Sequence, residues 1–475
     1  MKDYQAGYIK LALPKGRLLA PTANLLARIN LGFEDYGDNA RQYRLCSARF
    51  PGLSAKVLQE RDISVQVAVG NYDLGVCGLD WVEEFLVKYP AGAVVKILNL
   101  NYGEGSVHVV ASTQAGITSL NELSTRRSCR IVTEYPNLAE AFALNLRMRR
   151  FRIFPVWGAA EVYPPEDADL AVFWGKSGAD IANQGLIPLK KLLPVTAFLI
   201  ANRESLENKG LSQILMCFSS KLTVEPQTSI ENGLDISEEL KVSRLSWQAK
   251  EINLALPDGH QQAPTAQFLK RTGLNLQGYS EGVLNRRPSA DLDWLGIKVI
   301  RPQDMPLQAA NGNFDLAITG EDWLREHLCR FPSSPVKKLF PLGFGAVKIV
   351  AAVSQEMPVA NIDELRSLVQ GSKFAPLKVA SEYINIADKY LRDNHINPYK
   401  LIPTWGASEA FLPEDADMLI DNVQTGKTLG QHKLKIIDVL FRSSACLIVN
   451  KGSLTSSDKK EKLEFLTQKL RAGLE

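Results

Sequence analysis

The sequence contains the same series of motifs twice, and this internal repeat limits the architectures that the chain can adopt. The motifs return in the same order at an offset of 242 to 248 residues. The matching pairs are 9–17 with 252–260, 71–81 with 313–323, 133–137 with 381–385, 157–161 with 405–409, and 166–169 with 414–417. An ordered series held at one spacing indicates a tandem duplication of one folding unit.

Within each copy, apolar strands alternate with turns and helices, which is the pattern of an α/β fold. Residues 9–13 form an apolar run before a Pro-Lys-Gly turn, and the leucines that follow recur at helical spacing. Residues 73–76 and 315–318 have the composition of buried strands after a turn. The sequence therefore predicts an α/β protein built from two similar units.

Composition narrows the class of protein further. A chain of 475 residues, 45% hydrophobic and 23% charged, is typical of a globular protein with several domains. A net charge of +3 gives no electrostatic case for nucleic acid or a membrane as the main partner. The six cysteines form no CxxC pair, which argues against zinc and disulfides, and the first residues lack a signal-peptide core. We therefore expect a cytoplasmic protein without a metal site of its own.

The second copy contains a candidate phosphate-binding loop in residues 417–429, where an apolar strand is followed by a hydroxyl-Gly-Lys-hydroxyl turn. A glycine in such a turn lets backbone N–H groups approach an anion, and the hydroxyls and the lysine add donors and charge. Asp417 and Asp421 are candidates to accept hydrogen bonds from ribose hydroxyls. The same turn composition is common in loops without a ligand, so the tripeptide Gly-Lys-Thr is weak support by itself.

Taken together, the motifs resemble those of the short form of ATP phosphoribosyltransferase, the first enzyme of histidine biosynthesis. The resemblance runs through each copy and rests on Leu-Pro-Lys-Gly-Arg, Asp-Leu-Gly-x-x-Gly-x-Asp, Thr-Glu-Tyr-Pro-Asn, Gly-Ala-Ser-Glu, the loop at 421–429, and the segment 443–450. It implies two α/β lobes per copy, as in periplasmic-binding-protein-like folds (the type IV phosphoribosyltransferase fold), with a catalytic cleft between them.

The repeat and the resemblance together give predicted boundaries. The first unit is expected at 1–222, with lobe I at about 8–100 and 192–222 and lobe II at about 101–191. A polar segment without a counterpart in the second copy, 223–249, is predicted to be a linker. The second unit is expected at 250–475, with lobe I at about 250–340 and 438–475 and lobe II at about 341–437.

The two copies differ at the residues that would carry the chemistry. In the first copy, Phe173 stands where the second has Asp421, and Asp180 follows a shortened Gly-Lys-Ser turn. We expect that loop to be inert, because a carboxylate repels phosphate. In the second copy, Asp258-Gly-His260 replaces Lys15-Gly-Arg17, although Arg301 stands where the first copy has Gln59.

The resemblance implies transfer of the phosphoribosyl group of phosphoribosyl pyrophosphate (PRPP) to N1 of ATP, with release of pyrophosphate. It also implies that Arg17 and Arg41 reach across a dimer interface, so we predict one composite site per chain, formed by an intramolecular pseudo-dimer. The expected catalytic residues are Arg17, Arg41, Arg301 and Glu409. The expected PRPP-binding residues are Asp417, Asp421, Gln424, Thr425, Gly426, Lys427 and Thr428, and those for ATP or pyrophosphate are Lys15, Arg17, Arg41 and Glu321.

Further expectations follow from the same resemblance. Mg²⁺ would arrive with PRPP or ATP rather than in a protein cage. A histidyl-tRNA-synthetase-like regulatory subunit and a homo-oligomer are both compatible with the family. The alternative to an active enzyme is a regulatory paralogue that binds PRPP or a nucleotide with little or no turnover. A solute-binding module of the same fold would need an export signal.

Overall fold

The computed structural model describes residues 8–37, 43–90, 92–219, 250–283, 285–371, 376–406, 408–424 and 426–474. These residues form two compact units. Unit 1 takes the chain up to Pro155 and again from Ala168, whereas unit 2 takes the segment Val156–Asp167 and the chain from Lys250 onward. The predicted linker, 223–249, lies outside the described residues, and the predicted domain boundaries stay predictions.

Unit 1 contains two mixed β-sheets with helices packed around them. Its strands are β1 Ile9–Lys15, β2 Arg44–Cys46, β3 Leu53–Gln59, β4 Leu74–Gly78, β5 Val94–Asn99, β6 Gly105–Ser112, β7 Cys129–Thr133, β8 Phe151–Pro155, β9 Leu170–Gly175, β10 Leu186–Val195 and β11 Ala197–Asn202. Its helices are α1 Leu19–Arg28, α2 Glu60–Ala68, α3 Leu79–Lys88, α4 Leu120–Thr125, α5 Pro136–Asn145, α6 Gly178–Ala182, α7 Arg203–Asn208 and α8 Ser212–Ser219.

Unit 2 repeats this series. Its strands are β12 Ile252–Pro257, β13 Leu276–Gln277, β14 Ser289–Ala290, β15 Leu295–Ile300, β16 Leu316–Gly320, β17 Val336–Pro341, β18 Val347–Ser354, β19 Leu377–Ser381, β20 Tyr399–Pro403, β21 Met418–Val423, β22 Leu434–Ser443 and β23 Ala445–Asn450. Its helices are α9 Gln262–Arg271, α10 Met305–Ala310, α11 Glu321–Arg330, α12 Ile362–Gly371, α13 Ile384–Asp393, α14 Lys427–Gln431, α15 Lys451–Thr455 and α16 Ser457–Ala472. Short 3₁₀ helices occur at Ala160–Val162, Gly259–Gln261 and Ser408–Phe411.

The strand orders of the two units correspond except at one edge of the first sheet, where β2 of unit 1 has no counterpart in the described part of unit 2. The first sheet of unit 1 has the order β2-β3-β1-β4-β11-β5, and that of unit 2 has the order β15-β12-β16-β23-β17. The second sheets are β10-β6-β9-β7-β8 and β20-β19-β21-β18-β22, which are the same order read from opposite edges. The predicted α/β class with a repeated unit is therefore confirmed.

The hydrophobic pattern explains why these elements form. Strands such as β4 and β23 are buried along their whole length, because helices cover both faces of the sheets and leave no face for alternating polar residues. Helix α16 buries Leu463, Leu466 and Leu470, which recur at helical spacing, against the core beneath β12. Each sheet has its own core cluster, two in unit 1 and two in unit 2 among the described residues.

The segment Val156–Asp167, which belongs to the first copy in sequence, is held in unit 2 by ion pairs and hydrogen bonds. Lys298 Nζ lies 2.5 Å from Asp167 Oδ2 and 3.0 Å from Glu166 Oε2. Arg287 binds Glu166 and also donates to the carbonyl oxygens of Val162 and Pro164 at 2.9 and 2.8 Å. Lys298 and Asp167 are both buried, so removing either partner would leave an uncompensated buried charge in this segment.

None of the helices in the described ranges has the length and the apolar character that crossing a membrane requires.

Candidate active site

The polar residues of unit 2 collect where parallel strands end. Asp258 follows β12, Arg301 follows β15, Asp322 follows β16, Tyr383 follows β19, and Gln424 follows β21. Strands β12, β15 and β16 run parallel in one sheet, and β19 and β21 run parallel in the other. Open α/β sheets bind ligands beyond the carboxyl ends of their strands, so this edge is the expected position of a site.

A chain of hydrogen bonds links the two sheets of unit 2 at this edge. Asp322 accepts from Ser443 Oγ at 2.7 Å and from the hydroxyl of Tyr383 at 2.6 Å. Asn422 Nδ2 lies 3.2 Å from the Tyr383 hydroxyl and 3.2 Å from Asp421 Oδ1. The chain therefore joins Asp322, on the first sheet, to Asp421, at the start of the candidate phosphate loop.

Asp421 has an unusual electrostatic environment. Burial raises the pKa of its carboxyl to about 7, and the nearby negative charges of Glu409 and Asp322 add to the increase. Hydrogen bonds from the backbone N–H of Asn422 and from the hydroxyl of Ser408 act in the opposite direction. A carboxyl that titrates near neutral pH beside a second acidic residue is typical of a functional site.

The loop after Asp421 turns sharply at Gly426. This residue has a φ of +75°, and a Cβ added there would meet no atom within 4 Å, so the turn opens toward free space. Gln424 and Thr428 are exposed on either side of the turn. Thr425 and the side chain of Lys427 lie outside the described residues. The described part of the loop thus offers an accessible backbone and a hydroxyl.

Asp417 lies at the other end of the same strand. Its Oδ2 accepts from the backbone N–H of Lys378 at 2.8 Å and ties the amino ends of β19 and β21 together. Asp169 makes the matching bond to the backbone N–H of Arg130 in unit 1, at 2.7 Å. Four residues of strand, about 13 Å, separate Asp417 from Asp421. The structure therefore does not bring Asp417 together with the loop.

Arg301 is paired with the residue that replaces Lys15 in the second copy. Its Nη1 lies 3.3 Å from Asp258 Oδ2, and Arg286 Nη1 lies 2.7 Å from the same oxygen. Arg286 also approaches Glu161 Oε1 at 3.6 Å. The aspartate that looks like a loss of charge in the sequence is therefore surrounded by cations, and the side chain of Arg301 keeps 43% of its surface exposed.

Glu321 is engaged by two cations on the surface of unit 2. Its Oε1 lies 2.7 Å from Arg325 Nη2, and its Oε2 lies 2.8 Å from Lys338 Nζ. Although burial acts in the opposite direction, hydrogen bonds from these two cations lower the pKa of Glu321. Glu321 therefore stays ionised and is held by neighbours on α11 and β17.

Unit 1 has a different arrangement around the matching carboxylate, Asp80. Arg17 Nη2 lies 2.7 Å from Asp80 Oδ2, and Arg17 Nε lies 3.1 Å from Glu60 Oε2. The guanidinium also lies 4.5 Å from the ring centroid of Trp174, in a cation–π contact. Tyr135 donates to Asp80 at 2.7 Å, as Tyr383 does to Asp322. In unit 1 the carboxylate is thus neutralised by an internal cation.

The charges in this cluster shift each other's titration. Although burial alone lowers it, the charges of Asp80 and Glu60 raise the pKa of Arg17 above its ordinary value. Burial raises the pKa of Glu60 to about 7, and the positive charge of Arg17 only partly opposes this. Asp80, which is fully buried and lies closer to the guanidinium, is therefore the main partner of Arg17.

The loop of the first copy satisfies its own polar groups. Phe173, at the position of Asp421, is buried, with 7% of its surface exposed. Ser177 Oγ donates to Asp180 Oδ2 at 2.7 Å and accepts from the backbone N–H of Asp180 at 3.2 Å. Lys176 is exposed. This loop therefore holds a carboxylate where the second copy offers an open turn.

Two of the remaining predicted residues belong to unit 1. Lys15 Nζ lies 3.0 Å from the hydroxyl of Tyr43 and 5.0 Å from the centroid of its ring. Arg41 lies outside the described residues.

Sequence reasoning missed several residues of the unit 2 cluster. The structure adds Asp322, Tyr383, Asn422 and Ser443 to the predicted Asp421, through the hydrogen bonds described above. Asp322 and Tyr383 stand in motifs that recur in both copies, so this recurrence could have identified them as site residues. Asn422 carried no such signal, because the first copy has Trp174 there.

Within the described ranges, no group of three or more His, Cys, Asp or Glu side chains is arranged to hold a metal ion.

Comparison with known proteins shows the family to which the sequence is similar. The family model described as ATP phosphoribosyltransferase matches residues 59–220 and 301–472, one stretch in each copy and together more than half of the chain. The ATP phosphoribosyltransferase of Saccharolobus solfataricus is 32% identical over 230 residues, which are 47% of this chain and 73% of that protein. That of Chlorobaculum parvum is 29% identical over 228 residues, which are 47% and 71%.

Solved structures give matches of lower similarity. An ATP phosphoribosyl transferase (HisG:HisZ) complex from Thermotoga maritima matches with 21% identity and a TM-score of 0.38, over 47% of this chain and 98% of that chain. The alkanesulfonate-binding protein SsuA from Xanthomonas axonopodis pv. citri matches with 14% identity and a TM-score of 0.30, over 45% and 72%. Because the family model matches both copies, the chain belongs to the ATP phosphoribosyltransferase family, as an enzyme in which the family's unit occurs twice.

Proposed function

We propose that this chain transfers the phosphoribosyl group of PRPP to N1 of ATP and releases pyrophosphate, at a site formed around Asp421 in unit 2. N1 of adenine forms a bond to the anomeric carbon of PRPP as the bond to the pyrophosphate oxygen breaks. This substitution needs no protein nucleophile. The task of the enzyme is to align two anionic substrates and to stabilise charge in the transition state.

Each described residue of the site has a role that its environment supports. Asp421 accepts hydrogen bonds from the ribose hydroxyls, and Glu409, close enough to raise the pKa of Asp421, stabilises positive charge that develops on the ribose ring. Residues 425–428 bind the 5′-phosphate. Arg301, half-exposed and held by Asp258, faces the polyphosphate groups. We leave Asp417 out of the site, because its carboxylate is committed to the backbone of β19.

The observation that carries this proposal is the contrast between the two loops. In unit 2 an acidic side chain precedes an open turn at Gly426, whereas in unit 1 a buried phenylalanine precedes a turn whose polar groups bind each other. The internal cation at Asp80 adds to the contrast, because in the described part of the chain the carboxylate of Asp322 has no cation as a partner and accepts from the hydroxyls of Tyr383 and Ser443. Mg²⁺ belongs to the substrate in this scheme and enters bound to the pyrophosphate of PRPP.

Calorimetric titration with PRPP and Mg²⁺ tests the proposal. We expect one PRPP per chain. Lys427→Ala and Asp421→Ala should each abolish binding, whereas the matched change in the first copy, Lys176→Ala, should leave it nearly unchanged. Two equivalent sites, or equal losses from Lys176→Ala and Lys427→Ala, would show that both loops bind PRPP.

The composite site is a separate part of the proposal and rests on the sequence, in which each copy lacks what the other retains. If Arg17 contributes to the site of the second copy, Arg17→Ala lowers turnover by roughly 10²- to 10³-fold and weakens PRPP binding much less. The contacts of Arg17 with Asp80 and Glu60 support a different role, in the stability of unit 1. Wild-type turnover in folded Arg17→Ala would exclude the composite site and leave the structural role.

Steady-state formation of phosphoribosyl-ATP by the purified chain distinguishes an enzyme from a regulatory paralogue. PRPP binding without turnover, alone or with a histidyl-tRNA-synthetase-like subunit, would favour the regulatory role. We propose a cytoplasmic location because both substrates are cytoplasmic metabolites. The regulatory subunit and a homo-oligomer stay predictions from the family.

A further inference from the structure

Unit 1 has a strongly basic cavity at the amino ends of β7 and β8. The cavity has a volume of about 780 Å³, and its lining includes Phe151. Five arginines line it, two from the turn after α4 and three from the start of β8 and the loop before it: Arg126, Arg127, Arg149, Arg150 and Arg152. No residue of the candidate active site belongs to this set.

The backbone fixes the two arginine segments side by side. The N–H of Cys129 donates to the carbonyl oxygen of Arg150 at 3.0 Å. Strands β7 and β8 then pair in parallel, with Cys129 opposite Phe151 and Arg130 opposite Arg152. The arginines are therefore brought together by sheet register and do not depend on a flexible approach of two loops.

The positive charge of this cluster is largely uncompensated. Arg126 Nη1 lies 3.5 Å from Asp169 Oδ1. In the part of the chain that the structure describes, Arg127, Arg149, Arg150 and Arg152 make neither an ion pair nor a side-chain hydrogen bond. Like charges held this close repel each other, and an anion placed among them removes that cost.

The cavity is separate from the edge where the candidate active site lies. Tyr135, which bonds to Asp80, follows the carboxyl end of β7, whereas the arginines stand at the amino end. The five residues of β7 span about 13 Å. In the second copy, the residues that match 149–152 are Asn397, Pro398, Tyr399 and Lys400, so three arginines are replaced by one lysine.

We propose that this cavity binds a small anion that carries several phosphate groups. A guanidinium group forms paired hydrogen bonds with phosphate oxygens. A cluster of five arginines can therefore bind several phosphate groups at once. The volume lies within the ordinary range of small-ligand sites, and the chain's net charge of +3 gives no general electrostatic case for a nucleic acid. Phe151 is half-buried and packs against the core cluster of this sheet, and it also lines the cavity, so the source is either a nucleotide whose base contacts this side chain or an inorganic polyphosphate.

Calorimetric titration of the full chain with inorganic tripolyphosphate, without Mg²⁺, tests the proposal. Arg127→Gln/Arg150→Gln/Arg152→Gln should weaken binding on the order of 100-fold, because several charge-assisted hydrogen bonds are lost. The control Lys389→Gln/Arg392→Gln/Lys400→Gln removes the same net charge from unit 2 and should retain wild-type affinity. Lys427→Ala should also retain it, which separates this cavity from the proposed PRPP loop.

The remaining measurements identify the source of the anion and the ways in which the proposal fails. The affinities of ATP and tripolyphosphate are compared in the Lys427→Ala background. If ATP binds more tightly and Phe151→Ala removes the difference, the ligand is a nucleotide. Equal affinities indicate an inorganic anion. Three results would overturn the proposal. The first is the absence of saturable binding, and the second is binding that is abolished in Lys427→Ala but retained in the triple arginine variant. The third is a 20-nucleotide single strand that outcompetes both anions. Absence of binding combined with self-association of the triple variant would mean that the arginines only protect the exposed edge strand β8.

Discussion

In unit 1, Arg17 Nη2 lies 2.7 Å from Asp80 Oδ2, whereas the matching carboxylate of unit 2, Asp322, accepts from the hydroxyls of Ser443 and Tyr383. The two copies of one unit thus bind the same carboxylate with different donors. In unit 1, the positive charge of Arg17 compensates the negative charge of Asp80. Asp322 binds neutral donors instead, and it is one of the acidic neighbours that raise the pKa of Asp421.

Removing the internal cation should destabilise unit 1. In Arg17→Met, Asp80 loses its ion pair while its carboxylate stays fully buried. We expect a loss of about 3 kcal/mol in the free energy of unfolding, the scale for leaving a buried charge unpaired. Chemical denaturation measures this loss. Arg17→Lys is the milder variant, because a lysine keeps the positive charge but lacks the several N–H donors of the planar guanidinium group. An unchanged denaturation midpoint in Arg17→Met would show that the pair contributes nothing.

Binding of PRPP should depend on pH through Asp421. Burial raises the pKa of this carboxyl to about 7 in the free protein, so it is mostly protonated at pH 6 and mostly ionised at pH 8. Only the ionised form accepts two ribose hydroxyls, so affinity should rise about tenfold over this range. Because the folded state holds the proton more tightly than the unfolded one, stability falls as the pH rises from the ordinary carboxyl pKa of 3.8 to about 7, and it levels off above that. Calorimetric titration of Asp421→Asn with PRPP at both pH values measures the pH dependence that the phosphates of PRPP contribute by themselves, because this variant lacks the carboxyl. A wild-type pH profile in Asp421→Asn contradicts the assignment.

Asp258→Lys should destabilise unit 2 rather than restore a lost function. The new lysine would face Arg286 and Arg301, which both pair with Asp258 at present. We expect a loss of about 3 kcal/mol or more, because a buried ion pair becomes a repulsion. The matched change in the first copy, Lys15→Asp, removes one contact with Tyr43 and should cost about 1 kcal/mol. Equal losses in the two variants would mean that Asp258 is not an anchor for the arginines.

Lys298→Met should release the segment Val156–Asp167 from unit 2. The change leaves Asp167 and Glu166 without the buried ammonium that holds them. Hydrogen exchange of the backbone in this segment should accelerate about 100-fold, because local opening no longer breaks a buried pair. The control Lys462→Met removes an exposed ion pair with Glu251 in the same unit and should leave the exchange of 156–167 unchanged. Unaltered exchange in Lys298→Met would assign the anchoring to the other contacts of the segment, among them those of Arg287 and Arg286.

The sequence by itself determined the duplication, the α/β class and the position of the candidate phosphate loop. Each of these depends on information that is local in the chain: the spacing of motifs, apolar runs such as 418–420, and a glycine in a turn. The exchange of Asp421 for Phe173 was also visible in the sequence, because the repeat aligns the two copies without any structure.

Only the tertiary structure decided which partners the charged residues take. Asp417 and Asp421 look equivalent in the sequence, yet they stand at opposite ends of β21, and only Asp421 lies near the loop. Arg17 and Asp80 are 63 residues apart, and strand order brings them together. Partner choice is a property of strand order and register, which join distant parts of the chain, whereas a motif reports only on residues that lie close together in the sequence.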